Sequence, residues 1–124
     1  MILGIVGSRK LAGSVNAYKI IQDYIEWFKP TKVVSGGAVG IDSMAMEVAL
    51  GLGYSEDDLT IHLPQPANDS RGAYIRALFE RNGWIVRDST ALLAVTVPGG
   101  SNGTRDTINK ALKASKTVYV IETT

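Results

Sequence analysis

Three segments of the chain combine glycine with polar side chains in a way that suits anion binding. They are Gly7–Lys10, Ser35–Asp42 and Pro98–Thr104. Each follows a short apolar run and precedes a segment with helical periodicity. Glycine allows a backbone to approach a ligand closely, and the free N–H groups at a helix start favour anions. The residue types therefore indicate a phosphate-binding site built from three loops.

Individual side chains in these segments have both a ligand-binding and a structural interpretation. A guanidinium group binds phosphate in a bidentate manner, which favours Arg9 as a phosphate ligand. Ser8 is suited to donate to the same phosphate or to cap a turn. Asp42 is suited to accept a ligand hydroxyl, to act as a base, or to stabilise a helix start. Asn102 and Thr104 carry the same ambiguity, and Thr104 is a natural N-cap.

The elements that must position these segments alternate along the chain. Five apolar runs are nearly continuous and rich in β-branched residues, as in strands buried on both faces of a parallel sheet. These runs are Ile2–Val6, Lys32–Ser35, Leu59–Leu63, Ala91–Val97 and Thr117–Ile121. Apolar stripes with helical spacing lie between them, within residues 17–28, 41–49, 74–79 and 108–112. The alternation predicts a doubly wound α/β sandwich in which the strands' carboxyl ends, and so the three segments, meet at one edge.

Composition and charge exclude several functional classes. The 124 residues include no cysteine and one histidine, His62, and the net charge is +1. A thiolate zinc site and a cysteine nucleophile are excluded, and we expect no metal site. The length predicts one domain over residues 1–124, and no apolar run is long enough to span a membrane, so we expect a cytoplasmic protein. Because the charge is balanced, we do not expect a nucleic-acid partner.

Two widespread nucleotide-binding motifs are missing. No stretch reads G-x-x-x-x-G-K-[ST], which argues against a P-loop hydrolase. Gly7 and Gly13 do not fit G-x-G-x-x-G, and the second apolar run ends in Ser35-Gly36 instead of an acidic residue that would hold a ribose hydroxyl. An NAD-type enzyme is therefore not expected, and no cofactor is predicted.

Four motifs, in chain order, resemble the SLOG superfamily. They are Gly7-Ser8-Arg9, Ser35-Gly36-Gly37-Ala38-x-Gly40-Ile41-Asp42, Arg81-Asn82 and Gly103-Thr104. This superfamily includes the DNA-processing protein DprA (Smf), the LOG-type phosphoribohydrolases and the small YspA-like proteins, and the last branch is the most similar. The resemblance implies a Rossmann-like three-layer sandwich with a mostly parallel sheet of about five strands. It also implies that the glycine loops hold the phosphate of a nucleotide or nucleotide-derived ligand.

The motifs and the loop chemistry together predict which residues contact the ligand. The predicted set is Gly7, Ser8, Arg9, Ser35, Gly36, Gly37, Ala38, Gly40, Asp42, Arg81, Asn82, Gly99, Gly100, Asn102, Gly103 and Thr104. The pair Arg81-Asn82 enters through the resemblance, and with Gly83 it has the composition of a turn between two helical pieces. The N-termini of the second and fourth helices are expected to point into the site.

The resemblance to the LOG-type enzymes breaks at the position of their glutamate. Their motif is Pro-Gly-Gly-x-Gly-Thr-x-x-Glu, whereas here one extra residue separates Gly100 from Gly103, and Thr107 stands where the glutamate would be. Asp106 is one residue early, and one residue rotates a helical side chain by about 100°. We therefore assign no catalytic residue, and the sequence leaves open whether the chain is an enzyme.

The sequence thus favours a domain that binds a nucleotide or nucleotide-derived phosphorylated ligand, in a sensing role. A nucleotide phosphoribohydrolase that cleaves an N-glycosidic bond is one alternative, with Asp42, Asp106 or Glu80 in place of the glutamate. A DprA-like protein that binds single-stranded DNA is the other. We also expect a homo-oligomer, because relatives of this fold often pair through helices.

Overall fold

Five β-strands alternate with four α-helices in the computed structural model of the protein, which describes all 124 residues. The strands are β1 (Ile2–Gly7), β2 (Lys32–Gly36), β3 (Leu59–His62), β4 (Ala91–Thr96) and β5 (Thr117–Glu122). The helices are α1 (Val15–Phe28), α2 (Ile41–Gly51), α3 (Arg71–Asp88) and α4 (Asn102–Lys113). Each strand begins where the apolar pattern predicts and ends within one residue of the predicted position.

The five strands form one sheet in the order β3-β2-β1-β4-β5, and every pair is parallel. Gly4 of β1 lies opposite Val34 of β2 on one side and Leu92 of β4 on the other. The chain order therefore reverses between β1 and β4, where ligands bind in open α/β sheets. The predicted Rossmann-like α/β fold is confirmed.

Helices cover both faces of the sheet and make three layers. On one face, α1 and α2 pack against a core cluster of 15 buried residues that includes Leu3, Ile5 and Leu93. On the other, α3 and α4 pack against a cluster of seven that includes Val34 and Leu92. Central strands bury both faces, as their continuous apolar runs predict, whereas the edge strands β3 and β5 are only partly buried. None of the helices is long and apolar enough to cross a membrane.

The helix α3 is continuous where the sequence predicts a turn. The prediction of a turn at Arg81-Asn82-Gly83 is wrong, because all three residues lie inside one helix of 18 residues. Ala77 and Ile85 are buried on either side of them, and the polar side chains of Arg81 and Asn82 are buried with hydrogen-bond partners. Packing on both sides thus outweighs the preference of glycine for a turn.

Three of the four helices begin at a serine that caps them. Ser14, Ser70 and Ser101 each accept a hydrogen bond from a backbone N–H in the first turn of α1, α3 and α4. Of the two interpretations of Thr104, the N-cap of α4 is excluded, because Ser101 takes that position and accepts from the Thr104 N–H at 3.3 Å. The helix α2 instead begins at Gly40, which has no capping side chain.

Candidate functional site

A cleft of about 580 Å³ opens at the edge of the sheet where the carboxyl ends of the strands meet. Its walls are the loop after β1, the beginning of α2, the inner side of α3 and the first turns of α4. The lining residues are Val6, Gly7, Ser8, Arg9, Lys10, Ala38, Asp42, Arg71, Tyr74, Ile75, Leu78, Arg81, Asn82, Ile85, Ser101, Gly103, Thr104 and Thr107. This volume lies within the range of small-molecule sites, which is roughly 300–1,000 Å³.

The cleft brings together nine of the residues predicted to contact a ligand. These are Gly7, Ser8, Arg9, Ala38, Asp42, Arg81, Asn82, Gly103 and Thr104. Seven others do not line it: Ser35, Gly36, Gly37, Gly40, Gly99, Gly100 and Asn102. Ligand contact by any of the 16 residues stays a prediction, but the two groups now have different structural surroundings.

Three residues beneath the cleft hold its floor together. The Ser35 hydroxyl donates to the Ile5 carbonyl at 2.5 Å and so ties β2 to β1. Gly40 has a φ of 100°, and a side chain there would lie 2.8 Å from the Ser8 carbonyl oxygen, so glycine lets the loops after β1 and β2 touch. A side chain at Gly36 would collide with the Arg81 guanidinium and would lie 2.6 Å from an Asp42 carboxylate oxygen. Glycine at these two positions therefore lets charged side chains and neighbouring backbone approach closely.

The remaining predicted residues belong to turns outside the cleft. Gly99 and Gly100 both have positive φ, of 87° and 66°, so the backbone of this turn favours glycine whether or not a ligand is bound. Arg105 holds the turn, because its Nη2 donates to the Gly99 carbonyl at 2.9 Å and its Nη1 donates to Asn102 Oδ1 at 3.4 Å. A side chain at Gly37 would meet the side chain of Leu63 on the outer surface.

The cleft concentrates positive charge in a nearly neutral chain. Four cationic residues line it, namely Arg9, Lys10, Arg71 and Arg81, against the single carboxylate of Asp42. None of the four cations takes part in any of the protein's ion pairs, which involve other residues. Unpaired cations in a concave site attract anions more strongly than the same charges on a convex surface. The arrangement therefore suits a phosphorylated ligand.

Arg81 is the most buried of the four cations, with 8 % of its surface exposed. Its Nε donates to Asn82 Oδ1 at 3.2 Å, and its Nη1 donates to the carbonyl of His62 at 3.4 Å. Both partners are neutral, so the guanidinium charge is not neutralised by an ion pair. The Asp42 carboxyl interacts with this charge but forms no ion pair with it, so a bound anion would further offset the cost of desolvating the guanidinium.

Asp42 is the only acidic residue of the cleft and is 6 % exposed. Burial raises the pKa of its carboxyl above the ordinary value of 3.8, although Arg81 and the Ala38 amide act in the opposite direction. The Ala38 N–H donates to its Oδ2 at 3.3 Å. Asp42 thus closes the loop before α2 and also presents an acceptor to the cleft.

The α4 side of the cleft carries amide and hydroxyl groups but no carboxylate. Thr107 is buried, and its hydroxyl donates to the Gly103 carbonyl at 3.1 Å. Asp106 lies outside the cleft and accepts from Asn82 Nδ2 at 3.1 Å and from Lys110 Nζ at 2.5 Å. Asn82 also donates to the Gly103 carbonyl at 3.3 Å, so it joins α3 to α4.

Glu80, like Asp106, does not line the cleft. No group of acidic or histidine side chains is placed to hold a metal ion.

The apolar wall of the cleft is the part that sequence reasoning missed. Tyr74, Ile75 and Leu78 of α3 line it, and Tyr74 is 45 % exposed. The helical stripe that contains Tyr74 and Leu78 is the one sequence feature that marks this wall. Its period is that of a core-facing helix, so it indicates burial and not ligand contact. Arg71 at the start of α3 was missed as well, because nothing in its local sequence marks it.

The N-terminal part of the chain is similar to a known protein family. Residues 1–61 match the family model of DNA recombination-mediator protein A. This segment contains β1, α1, β2 and α2, and with them the first two predicted loops. The match confirms the resemblance to DprA-like, SLOG-related Rossmann-type domains, whereas the YspA-like branch stays a prediction. Among curated proteins, none matches this chain.

Proposed function

We propose that the chain binds a nucleotide or nucleotide-derived phosphorylated ligand in the cleft, in a sensing role and without turning it over. One observation carries the proposal: four cations and one carboxylate line a single concave site, and none of the cations is neutralised by an ion pair. The apolar wall of α3 beside these charges offers a surface on which a base can pack. The phosphate would lie against Ser8, Arg9 and Arg81.

The proposal is tested by calorimetric titration of the wild type and of Arg9→Ala with AMP and ADP. A lost hydrogen bond to a charged group should weaken the binding of the phosphorylated ligand by about 1.5–3 kcal/mol. Arg76→Ala is the matched control, because Arg76 is an exposed arginine of α3 outside the cleft. If Arg9→Ala binds as the wild type does, or if neither nucleotide binds the wild type, the proposal is wrong.

Hydrolysis of the N-glycosidic bond is not supported by the groups around the cleft. Thr107 occupies the position of the missing glutamate, and Asp106 is held outside by Asn82 and Lys110. Asp42 is the one carboxylate available for this chemistry. We expect no release of free base from a panel of nucleoside monophosphates. Turnover of about 1 per second or more, the ordinary range for enzymes, would contradict this expectation.

Binding of single-stranded DNA is the second candidate, and the family match over residues 1–61 favours it. The same four cations and Tyr74 would then hold a backbone and a base. The net charge of +1 and the concave shape of the site that the four cations line argue for a small ligand instead. A fluorescence-anisotropy titration with a single-stranded oligonucleotide at physiological salt separates the two. An affinity tighter than about 1 μM would favour DNA, because non-specific binding is weaker than that.

A further inference from the structure

The proposed function leaves the number of phosphates and the nature of the base undefined, and the cleft bears on both. A single phosphate group carries a charge of about −1.5 to −2 at neutral pH. The cleft presents four cations against one carboxylate whose pKa burial raises. One phosphate therefore leaves part of the positive charge unmatched, whereas two or three consecutive phosphates match it.

The cations also differ in depth, which suggests where successive phosphates lie. Arg81 is buried, whereas Arg9, Lys10 and Arg71 are exposed. Ser8 is buried beside Arg9, and its hydroxyl accepts from the Lys10 N–H at 3.2 Å. A first phosphate fits the deep end near Arg81 and Ser8. Further phosphates would then lie toward the opening, within reach of Lys10 and Arg71.

The apolar wall of the cleft has little with which to distinguish one base from another. Tyr74, Ile75 and Leu78 offer an aromatic ring and two aliphatic side chains, and the Tyr74 hydroxyl is their only polar group. Base edges are read by amide, carboxylate, hydroxyl and cationic side chains, and of these the apolar wall carries only the Tyr74 hydroxyl. The one amide of the cleft, Asn82, already donates to Gly103 and Asp106 and accepts from Arg81.

From these observations we propose that the cleft selects a nucleoside polyphosphate, with two or more consecutive phosphates, and does not select the base. The proposal rests on the proposed function and narrows it to a substrate class. Lys10 and Arg71 are the specificity-determining residues for the additional phosphates. Tyr74 contributes equally to the binding of every nucleotide, whatever its phosphate number.

The test is a calorimetric series with AMP, ADP, ATP and UDP at fixed ionic strength, with EDTA present to exclude divalent cations. ADP should bind at least about tenfold more tightly than AMP, which corresponds to about 1.4 kcal/mol. UDP should bind within about threefold of ADP, a difference of less than 1 kcal/mol. Lys10→Ala and Arg71→Ala should weaken ADP binding more than AMP binding and so reduce the preference for ADP over AMP. Both residues are exposed, so neither variant should impair folding.

Control variants and the pattern of nucleotide affinities distinguish a failure of the polyphosphate proposal from a failure of the proposed nucleotide binding. Lys113→Ala and Arg76→Ala remove exposed cations outside the cleft and should change nothing. If AMP binds as tightly as ADP, or if UDP binds more than about tenfold more weakly than ADP, the polyphosphate proposal fails while nucleotide binding stands. If the wild type binds no nucleotide of the series, both proposals fail together.

Discussion

The two faces of the sheet share the same strands but differ in what they bury. One face forms a mainly apolar core, and the other combines a smaller core with a polar cleft. The core cluster under α1 and α2 contains 15 buried apolar residues, whereas the cluster under α3 and α4 contains seven. Buried polar residues such as Arg81, Asn82 and Thr107 lie on the α3 and α4 side. The first face supplies the larger share of the apolar burial that stabilises the fold. The second face buries fewer apolar side chains in its core cluster and holds a charged cleft.

This difference shows how a small domain can combine a core with a polar site. Every buried polar side chain of the second face has a hydrogen-bond partner, since no buried side-chain nitrogen or oxygen is left unpaired. Asn82 is the clearest case, because it joins α3 to α4 through Gly103 and Asp106. Satisfied polar contacts avoid the cost of burying unpaired groups. The cleft is therefore supported by hydrogen bonds where the opposite face is supported by packing.

The largest expected effect compares two neighbouring leucines of β4 that point to opposite faces. Leu93 belongs to the larger cluster and Leu92 to the smaller one, and both are at most 1 % exposed. We expect Leu93→Ala to lower the free energy of unfolding by about 3–5 kcal/mol and Leu92→Ala by about 2–3 kcal/mol, because the denser surroundings of Leu93 collapse less into the cavity. Urea unfolding of both variants measures this. Equal losses in the free energy of unfolding would mean that the two clusters contribute equally to stability.

The sequence predicts the first face more completely than the second, for a physical reason. Apolar periodicity and strand length depend on local patterns, so the five strands and the meeting of the loops at one edge follow from the sequence. The continuity of α3 does not, because Arg81 and Asn82 find their buried partners in β3 and α4, far along the chain. Tyr74 and Leu78 have the spacing of core residues, although they line the cleft. Only tertiary contacts distinguish these cases.

A second, smaller effect compares Gly36 with Gly37, which lie next to each other at the end of β2. A methyl group at Gly36 would collide with Arg81 and crowd Asp42, whereas one at Gly37 would meet the flexible, exposed end of Leu63. We expect Gly36→Ala to cost about 1–3 kcal/mol of stability through overpacking, and to weaken nucleotide binding. Gly37→Ala should stay within about 0.5 kcal/mol of the wild type, as surface substitutions do. Equal effects on unfolding and binding would show that Gly36 does not shape the cleft.

The smallest expected effect concerns the charge of Asp42. Because its pKa is raised in the folded protein, the free energy of unfolding should fall as the pH rises from 3.8 through the folded-state pKa, and should then level off. Asp42→Asn keeps an acceptor for the Ala38 N–H but removes the charge. We expect it to raise the Tm by a few degrees at pH 7, with a difference that shrinks as the pH is lowered toward 3.8.

The control for this effect is Asp57→Asn, which removes an exposed carboxylate outside the cleft and should change the Tm little at either pH. Thermal unfolding followed by circular dichroism at several pH values measures both variants. A Tm of Asp42→Asn that lies below that of the wild type at pH 7 would indicate that the carboxylate stabilises the loop before α2. Burial of the Asp42 carboxylate in the cleft would then not destabilise the folded protein.

The claim that ligand binding is confined to the face covered by α3 and α4 is tested most directly by following backbone amide NMR shifts during a titration with ADP. Saturable changes are expected at Ser8–Lys10, at residues 38–43 and at residues 103–107, which surround the cleft. The amides of Tyr24–Phe28 in α1, on the opposite face, should not move. Changes centred on α1, or no saturable change anywhere, would contradict the assignment of ligand binding to the cleft between α3, α4 and the loop after β1.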